Sequence, residues 1–184
     1  MKIFILCGKA RSGKDTVLKM IEEYYQKENK KVVKMHFASY LKMYAKEYFG
    51  YSDKEEEKPR QFLQYLGTDV IRIKLKKEKF LINRILEDLE IMENFFDVAI
   101  IGDARFIDEI EDIKNKYPKA ISINVQRLNF DNKLKETEKE HLSENALNSY
   151  KNYNYDIINT NLKSLEEKIN IILRSEDLKD EKND

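Results

Sequence analysis

Nine residues near the start of the chain, Gly8-Lys9-Ala10-Arg11-Ser12-Gly13-Lys14-Asp15-Thr16, constrain the fold more than any other stretch. They follow the apolar run Ile3-Phe4-Ile5-Leu6-Cys7 and precede Val17, Leu18, Ile21, Tyr24 and Tyr25, which recur at helical spacing. A strand, a glycine-bounded loop, a lysine and a helix, in that order, describe a phosphate-binding loop. Backbone N–H groups in such a loop converge on phosphate oxygens, and the helix N-terminus adds its positive end. Glycine is required where a Cβ would obstruct the backbone or keep phosphate at a distance. Lys14 then reaches the outer phosphates as a point charge. The full pattern has Ser or Thr after the lysine; here Asp15 follows, and Thr16 comes one place later. The flanking strand and helix supply the context that the mechanism needs, and an ordinary strand-to-helix turn would match only by chance.

The rest of the chain fits a sheet that buries both faces. Lys2–Cys7, Lys31–Phe37, Val98–Gly102, Ala120–Gln126 and Tyr155–Asn159 are short, apolar and rich in β-branched residues, with helical patterns between them. That alternation predicts an α/β fold of three layers, a five-stranded parallel sheet with helices on both faces. Helices are predicted over 38–50, stopped by Gly50, and over 79–93, 105–116 and 162–174. Pro59 suits a helix start for the segment 54–77. Residues 143–150 have helix-like character. At 184 residues the chain is expected to form one domain over 1–174. Within it, 38–95 would form an acceptor-binding helical region and 128–150 a lid-like segment. Residues 175–184 are almost wholly polar and read as a disordered tail.

Composition excludes several classes. Lys+Arg and Asp+Glu balance at 34 each, so net charge does not indicate a nucleic-acid binder. The single cysteine, Cys7, excludes an intrachain disulfide and reads as a small buried hydrophobe. No apolar stretch approaches a membrane span, and a cytoplasmic protein is the default expectation. His36 lies in the second strand and reads as structural. His141 has no second His or Cys at metal-ligand spacing, which argues against zinc.

Two further constellations carry chemistry. Phe96-Asp97-Val98-Ala99-Ile100-Ile101-Gly102-Asp103-Ala104-Arg105-Phe106 is an apolar strand that ends in an acid. Ligands of open parallel sheets sit beyond the strand C-termini. Asp103 is therefore expected beside the phosphate loop, holding Mg²⁺ or its waters or accepting a proton, with Arg105 clamping a phosphoryl group. The alternative is a structural Asp–Arg pair in a turn. Arg127 follows the fourth strand, and Lys133, Lys135 and Lys139 come after it. Such cations stabilise charge in phosphoryl transfer, although a solvated charge run is the commoner fate of lysines. On 60–77, Arg60, Gln64 and Gly67 share a face opposed to Phe62, Leu63 and Leu66; that face lines a cleft or is simply solvated.

The chain resembles bacteriophage-type deoxynucleoside monophosphate kinases. Residues 8–16 are similar to that family's phosphate loop. Phe37-Ala38-Ser39-Tyr40-Leu41-Lys42 with Tyr48-Phe49-Gly50 resembles the segment after its second strand. Arg60-Gln61-Phe62-Leu63-Gln64-Tyr65-Leu66-Gly67-Thr68-Asp69 with Arg72 resembles its monophosphate-site helix. Asp103-Ala104-Arg105-Phe106-Ile107-Asp108-Glu109 resembles its acidic strand end, and His141-Leu142-Ser143-Glu144 a motif before its last strand. The resemblance implies a nucleoside monophosphate kinase-like P-loop fold that moves the γ-phosphoryl of ATP to a nucleoside monophosphate, with Mg²⁺. It implies an ATP site at Gly8, Lys9, Ala10, Arg11, Ser12, Gly13, Lys14, Asp15 and Thr16. It places catalysis on Lys14, Arg11, Asp103, Arg105 and Arg127. The acceptor would meet Lys42, Arg60, Gln64, Gly67, Thr68, Asp69 and Arg72. Thr16 and Asp103 would support the metal, the latter directly or through water; Asp15 would meet it through water or contact the acceptor side instead. The partner is a small molecule, and both a monomer and a homodimer stay open. Animal-type phosphomevalonate kinase carries a similar loop and is the competing acceptor class. A non-catalytic nucleotide-binding module is the other; a guanine-reading Asn-Lys-x-Asp motif is absent, which disfavours a GTPase switch.

Overall fold

The computed structural model describes residues 1–51, 60–128, 134 and 139–182. Five strands form one parallel sheet: β1 Lys2–Cys7, β2 Val32–Met35, β3 Val98–Ala104, β4 Ile121–Gln126 and β5 Tyr155–Ile158, in the order β2-β3-β1-β4-β5. From β1 the chain builds β2 and β3 on one side and then β4 and β5 on the other. The C-terminal end of β1 is therefore a switch point, where an open parallel sheet leaves its ligand crevice.

Helices α1 Lys14–Lys27, α2 Phe37–Phe49, α3 Arg60–Gln64, α4 Phe80–Met92, α5 Ile107–Lys116, α6 Leu142–Asn145 and α7 Leu162–Glu181 surround the sheet. Between α3 and α4, Tyr65–Lys74 winds as a wider π-helix, closed by Leu75 N–H donating to Val70 O at 2.9 Å. π-Helix is rare, and where it occurs, mostly as single turns within α-helices, it is frequent at functional sites. Two buried clusters make the outer layers. On one face, Val17, Leu18 and Ile21 of α1 and Leu165, Ile169 and Leu173 of α7 cover Phe4 and Leu6. On the other, Ile82, Ile85 and Leu89 of α4 and Ile110 and Ile113 of α5 cover Ile3, Ile5 and Cys7. Burial of these side chains supplies the main drive to fold. His36 packs against Gly102 beneath the start of α2, in keeping with a structural role. Among the described residues no helix is long and apolar enough to cross a membrane.

Two expectations change. Residues 175–181 are not a disordered tail: α7 runs on to Glu181. Asp177 accepts from Lys2 Nζ at 2.5 Å, Tyr24 OH at 3.0 Å and Tyr25 OH at 2.9 Å, which holds this polar turn to the sheet and α1. The helix-like stretch 143–150 is helical only at Leu142–Asn145 and continues as turns. Pro59, Lys133 and Lys135 lie outside the described residues.

Candidate active site

β1 delivers Gly8 to the switch point, and the loop turns back into α1 at Lys14. Gly8 has φ 134, and a Cβ there would stand 2.3 Å from the Val125 carbonyl of β4. Gly13 has φ 108, and a Cβ there would meet Asn159 Nδ2 at 2.5 Å. Both positions demand glycine on sterics alone. Arg11 is also left-handed at φ 58, a strained conformation for a side-chain-bearing residue. Asn159, just after β5, donates to Ser12 O at 2.9 Å and fastens the loop.

The loop has the donor set of an anion cradle. Lys14 is buried, and its Nζ donates to Gly8 O and Lys9 O at 2.8 Å each. Burial, and then the neighbouring Arg105, bring its ammonium down to about 8. Ser12 Oγ is buried and has no hydrogen-bond partner among the described residues. A phosphate would satisfy that orphaned hydroxyl and restore full charge to Lys14, so the residues present fit the triphosphate of a nucleotide.

Two cavities open from this point. One lies over the loop and is lined by Gly8, Lys9, Ala10, Ser12 and Arg127, with Asn124 and Gln126 of β4. The other, of about 270 Å³, lies between α2, α3, the π-helix and the β3–α5 turn. Arg60, Gln64, Thr68 and Arg72, four residues apart, all line it, as do Lys42 and Gly67. A Cβ on Gly67 would stand 2.8 Å from Leu41 Cδ1, so glycine lets the π-helix approach α2. Arg105, Ser143 and Glu144 line both cavities. Asp69 is exposed outside that lining, its Oδ2 4.0 Å from His141 Nε2. Neither Arg11, Asp15 nor Thr16 lines either cavity, and neither does Lys139.

The arginines of the second cavity are held by acids. Arg72 pairs with Asp108 at 2.6 Å, approaches Glu109 at 3.7 Å and stacks 3.9 Å over the Phe106 ring. Burial pushes Glu109 up to about 8, against the pull of the Arg105 and Phe106 N–H groups that donate to it at 2.6 and 3.1 Å. Arg60 and Arg105 converge on Glu144 Oε1 at 2.6 and 2.8 Å, while Glu144 Oε2 accepts from Ala10 N–H at 3.2 Å. Residue-type reasoning about 60–72 found the cations but not these acids. Glu109 and Glu144 stood inside singled-out motifs, yet nothing local marked either as a partner of an arginine.

Asp103 emerges at the end of β3 as expected, but its carboxylate is already engaged. Oδ1 accepts from Phe37 N–H at 2.8 Å and Oδ2 from Ala38 N–H at 3.0 Å, capping the otherwise unpaired first donors of α2. Each oxygen keeps a second lone pair for water. Among the described residues no three His, Cys, Asp or Glu side chains converge as a metal cage. A magnesium ion here would depend mainly on phosphate oxygens and water, which is the usual mode for that ion.

No protein-family model matches the chain, and no functionally curated protein matches it in sequence. Solved structures do resemble it. TT1252 from Thermus thermophilus is 14% identical, with a TM-score of 0.51 over 95% of this chain and 97% of its own. Shikimate kinase from Bacteroides thetaiotaomicron is 15% identical, with a TM-score of 0.47 over 94% of this chain and 96% of its own. Likeness at that identity concerns the fold alone. The sheet order, the glycine-bounded loop and the likeness to TT1252 give the chain a three-layer α/β fold, a five-stranded parallel sheet between helices with a phosphate-binding type of loop after β1.

Proposed function

We propose that this protein is an ATP-dependent kinase that transfers the γ-phosphoryl group to the phosphate of a nucleoside monophosphate, ribo or deoxy. One observation carries the reading: a second cavity, walled by Arg60, Arg72 and Lys42, joins the phosphate-loop cavity at Arg105. A nucleotide-binding module has no use for a second anion site at that junction. Its apolar wall of Phe37, Leu41, Leu63 and Phe106 suits a flat base, with Gln64 Nε2, which has no partner among the described residues, able to donate to it.

In this reading the loop N–H groups and Lys14 hold the β- and γ-phosphates. Lys14 leaves the Gly8 and Lys9 carbonyls to do so. Arg60 and Arg72 hold the acceptor phosphate, and Arg105 spans the gap, with Arg127 beside the loop. A phosphate oxygen of the acceptor forms the new bond to Pγ, the bond from Pγ to the β–γ bridging oxygen breaks, and ADP leaves. The acceptor oxygen is already anionic, so no strong general base is needed; positioning and charge stabilisation carry the rate. Bound magnesium would add charge neutralisation on the phosphates. The test is an ADP-release assay across the common ribo- and deoxynucleoside monophosphates, with phosphomevalonate as a parallel acceptor. ADP release that requires one class of monophosphate supports the reading. Release only with phosphomevalonate transfers the site to that substrate. Slow hydrolysis indifferent to every acceptor overturns it.

A further inference from the structure

Glu144 touches both halves of the site at once. Its side chain is 4% exposed, and one oxygen receives Arg60 from α3 and Arg105 from the β3–α5 turn. The other oxygen receives the Ala10 N–H of the phosphate loop. Arg60 lines only the acceptor cavity and Ala10 only the loop cavity, whereas Glu144 lines both. A buried ion pair of this kind contributes little net stability, because desolvation offsets attraction. Its effect is geometric. Two guanidiniums at one cavity mouth repel each other, and a shared carboxylate oxygen fixes their spacing. Its second oxygen then ties that pair to the main chain that faces the donor.

We infer that Glu144 is a positioning residue for phosphoryl transfer, which holds Arg60 and Arg105 in register with the phosphate loop through Ala10. The inference rests on the kinase reading above. Glu144 also favours the charged form of Lys14. Simple electrostatics makes the opposite forecast for one measurement. A carboxylate beside a phosphate site repels polyanions, so its removal alone would tighten their binding. Loss of positioning loosens Arg105 and the loop, and weakens it.

The full chain, with Glu144→Gln and Glu144→Asp, decides between these. Tripolyphosphate affinity is read by calorimetry, kcat and KM by ADP release, and folding by thermal melting. In Glu144→Gln we expect tripolyphosphate to bind severalfold more weakly and kcat to fall on the order of a hundredfold while the protein melts cooperatively. Glu144→Asp, which keeps the charge but shortens the reach, restores part of the tripolyphosphate affinity. Unchanged or tighter tripolyphosphate binding in folded Glu144→Gln overturns the inference. Should that variant not fold, Glu144→Asp decides alone: wild-type affinity and kcat overturn the inference, and a loss in both supports it. If the wild type phosphorylates no acceptor, the kinase reading fails by itself, and the tripolyphosphate titration still decides the role of Glu144.

Discussion

Around Lys14, the main-chain groups and the lysine that face an anion come from one run of nine residues; around Arg60, the lining comes from α2, α3, the π-helix, the β3–α5 turn and α6. The first grip is built from main chain. Its shape follows from two glycines that admit no Cβ and from the start of a helix. The second is built from long side chains, its arginines held in place by acids brought from elsewhere. A main-chain grip suits a triphosphate that many enzymes share. A side-chain grip can be retuned residue by residue, which suits the partner that distinguishes one kinase from another.

The contrast predicts that the loop fails as a unit and the acceptor cavity by degrees. Lys14→Met should lower kcat/KM on the order of a thousandfold with melting behaviour retained, since it removes charge stabilisation from the reacting phosphates; a turnover near wild type would break the comparison at its first term. Arg60→Ala should raise the acceptor KM about fiftyfold, the worth of a charged hydrogen bond to a dianion, and the ATP KM much less. Equal changes in both constants would place Arg60 on the wrong side of the junction. The third test is pH. Lys14 loses its proton near 8 in the free protein, so kcat/KM for ATP should fall as pH rises through that value. In the complex, bound phosphates favour the ammonium, so kcat should hold to higher pH. The folded pKa lies below the usual lysine value, so this group's burial costs stability below about 8, and the cost fades as pH rises above it. A flat kcat/KM profile across that range would show that Lys14 stays charged when free. The smallest effect is expected from Gly67→Ala. The new methyl meets the mobile end of Leu41, so stability should fall by about 1 kcal/mol and the acceptor KM should rise a few-fold, with ATP unaffected.

How far the sequence could be read follows the same division. Strands and most helices are local: apolar runs of the right length and Val17, Leu18 and Ile21 at helical spacing become β1, α1 and their neighbours almost unshifted. The phosphate loop is local too. Arg60, Gln64 and Gly67 are legible as one face from their spacing, and all three line the second cavity; Arg72, which lines it too, is reached only through the resemblance. Their restraint was not legible. Glu144 stands 134 positions from Ala10 and 84 from Arg60, and no periodicity links charges so far apart. Asp103 was placed correctly at the strand end, but its bonds to Phe37 and Ala38 depend on where α2 begins in space. The stretch 175–181 was misread for a related reason. Polar composition suggests solvation, whereas Asp177 finds its partner Lys2 at a separation of 175 residues.

That last contact bears on how the molecule is made. Phe4, Leu6 and Ile123 are sealed on one side by Leu165, Ile169 and Leu173, and the seal is latched by Asp177 on Lys2 and Tyr25. During synthesis these early strands emerge well before their lid of leucines and isoleucines. A ribosome halted ahead of Leu162 would carry a nascent chain whose greasy sheet face is covered by α1 alone, a natural client for chaperones. The segment that first announces a nucleotide site would be among the last to acquire its final shape.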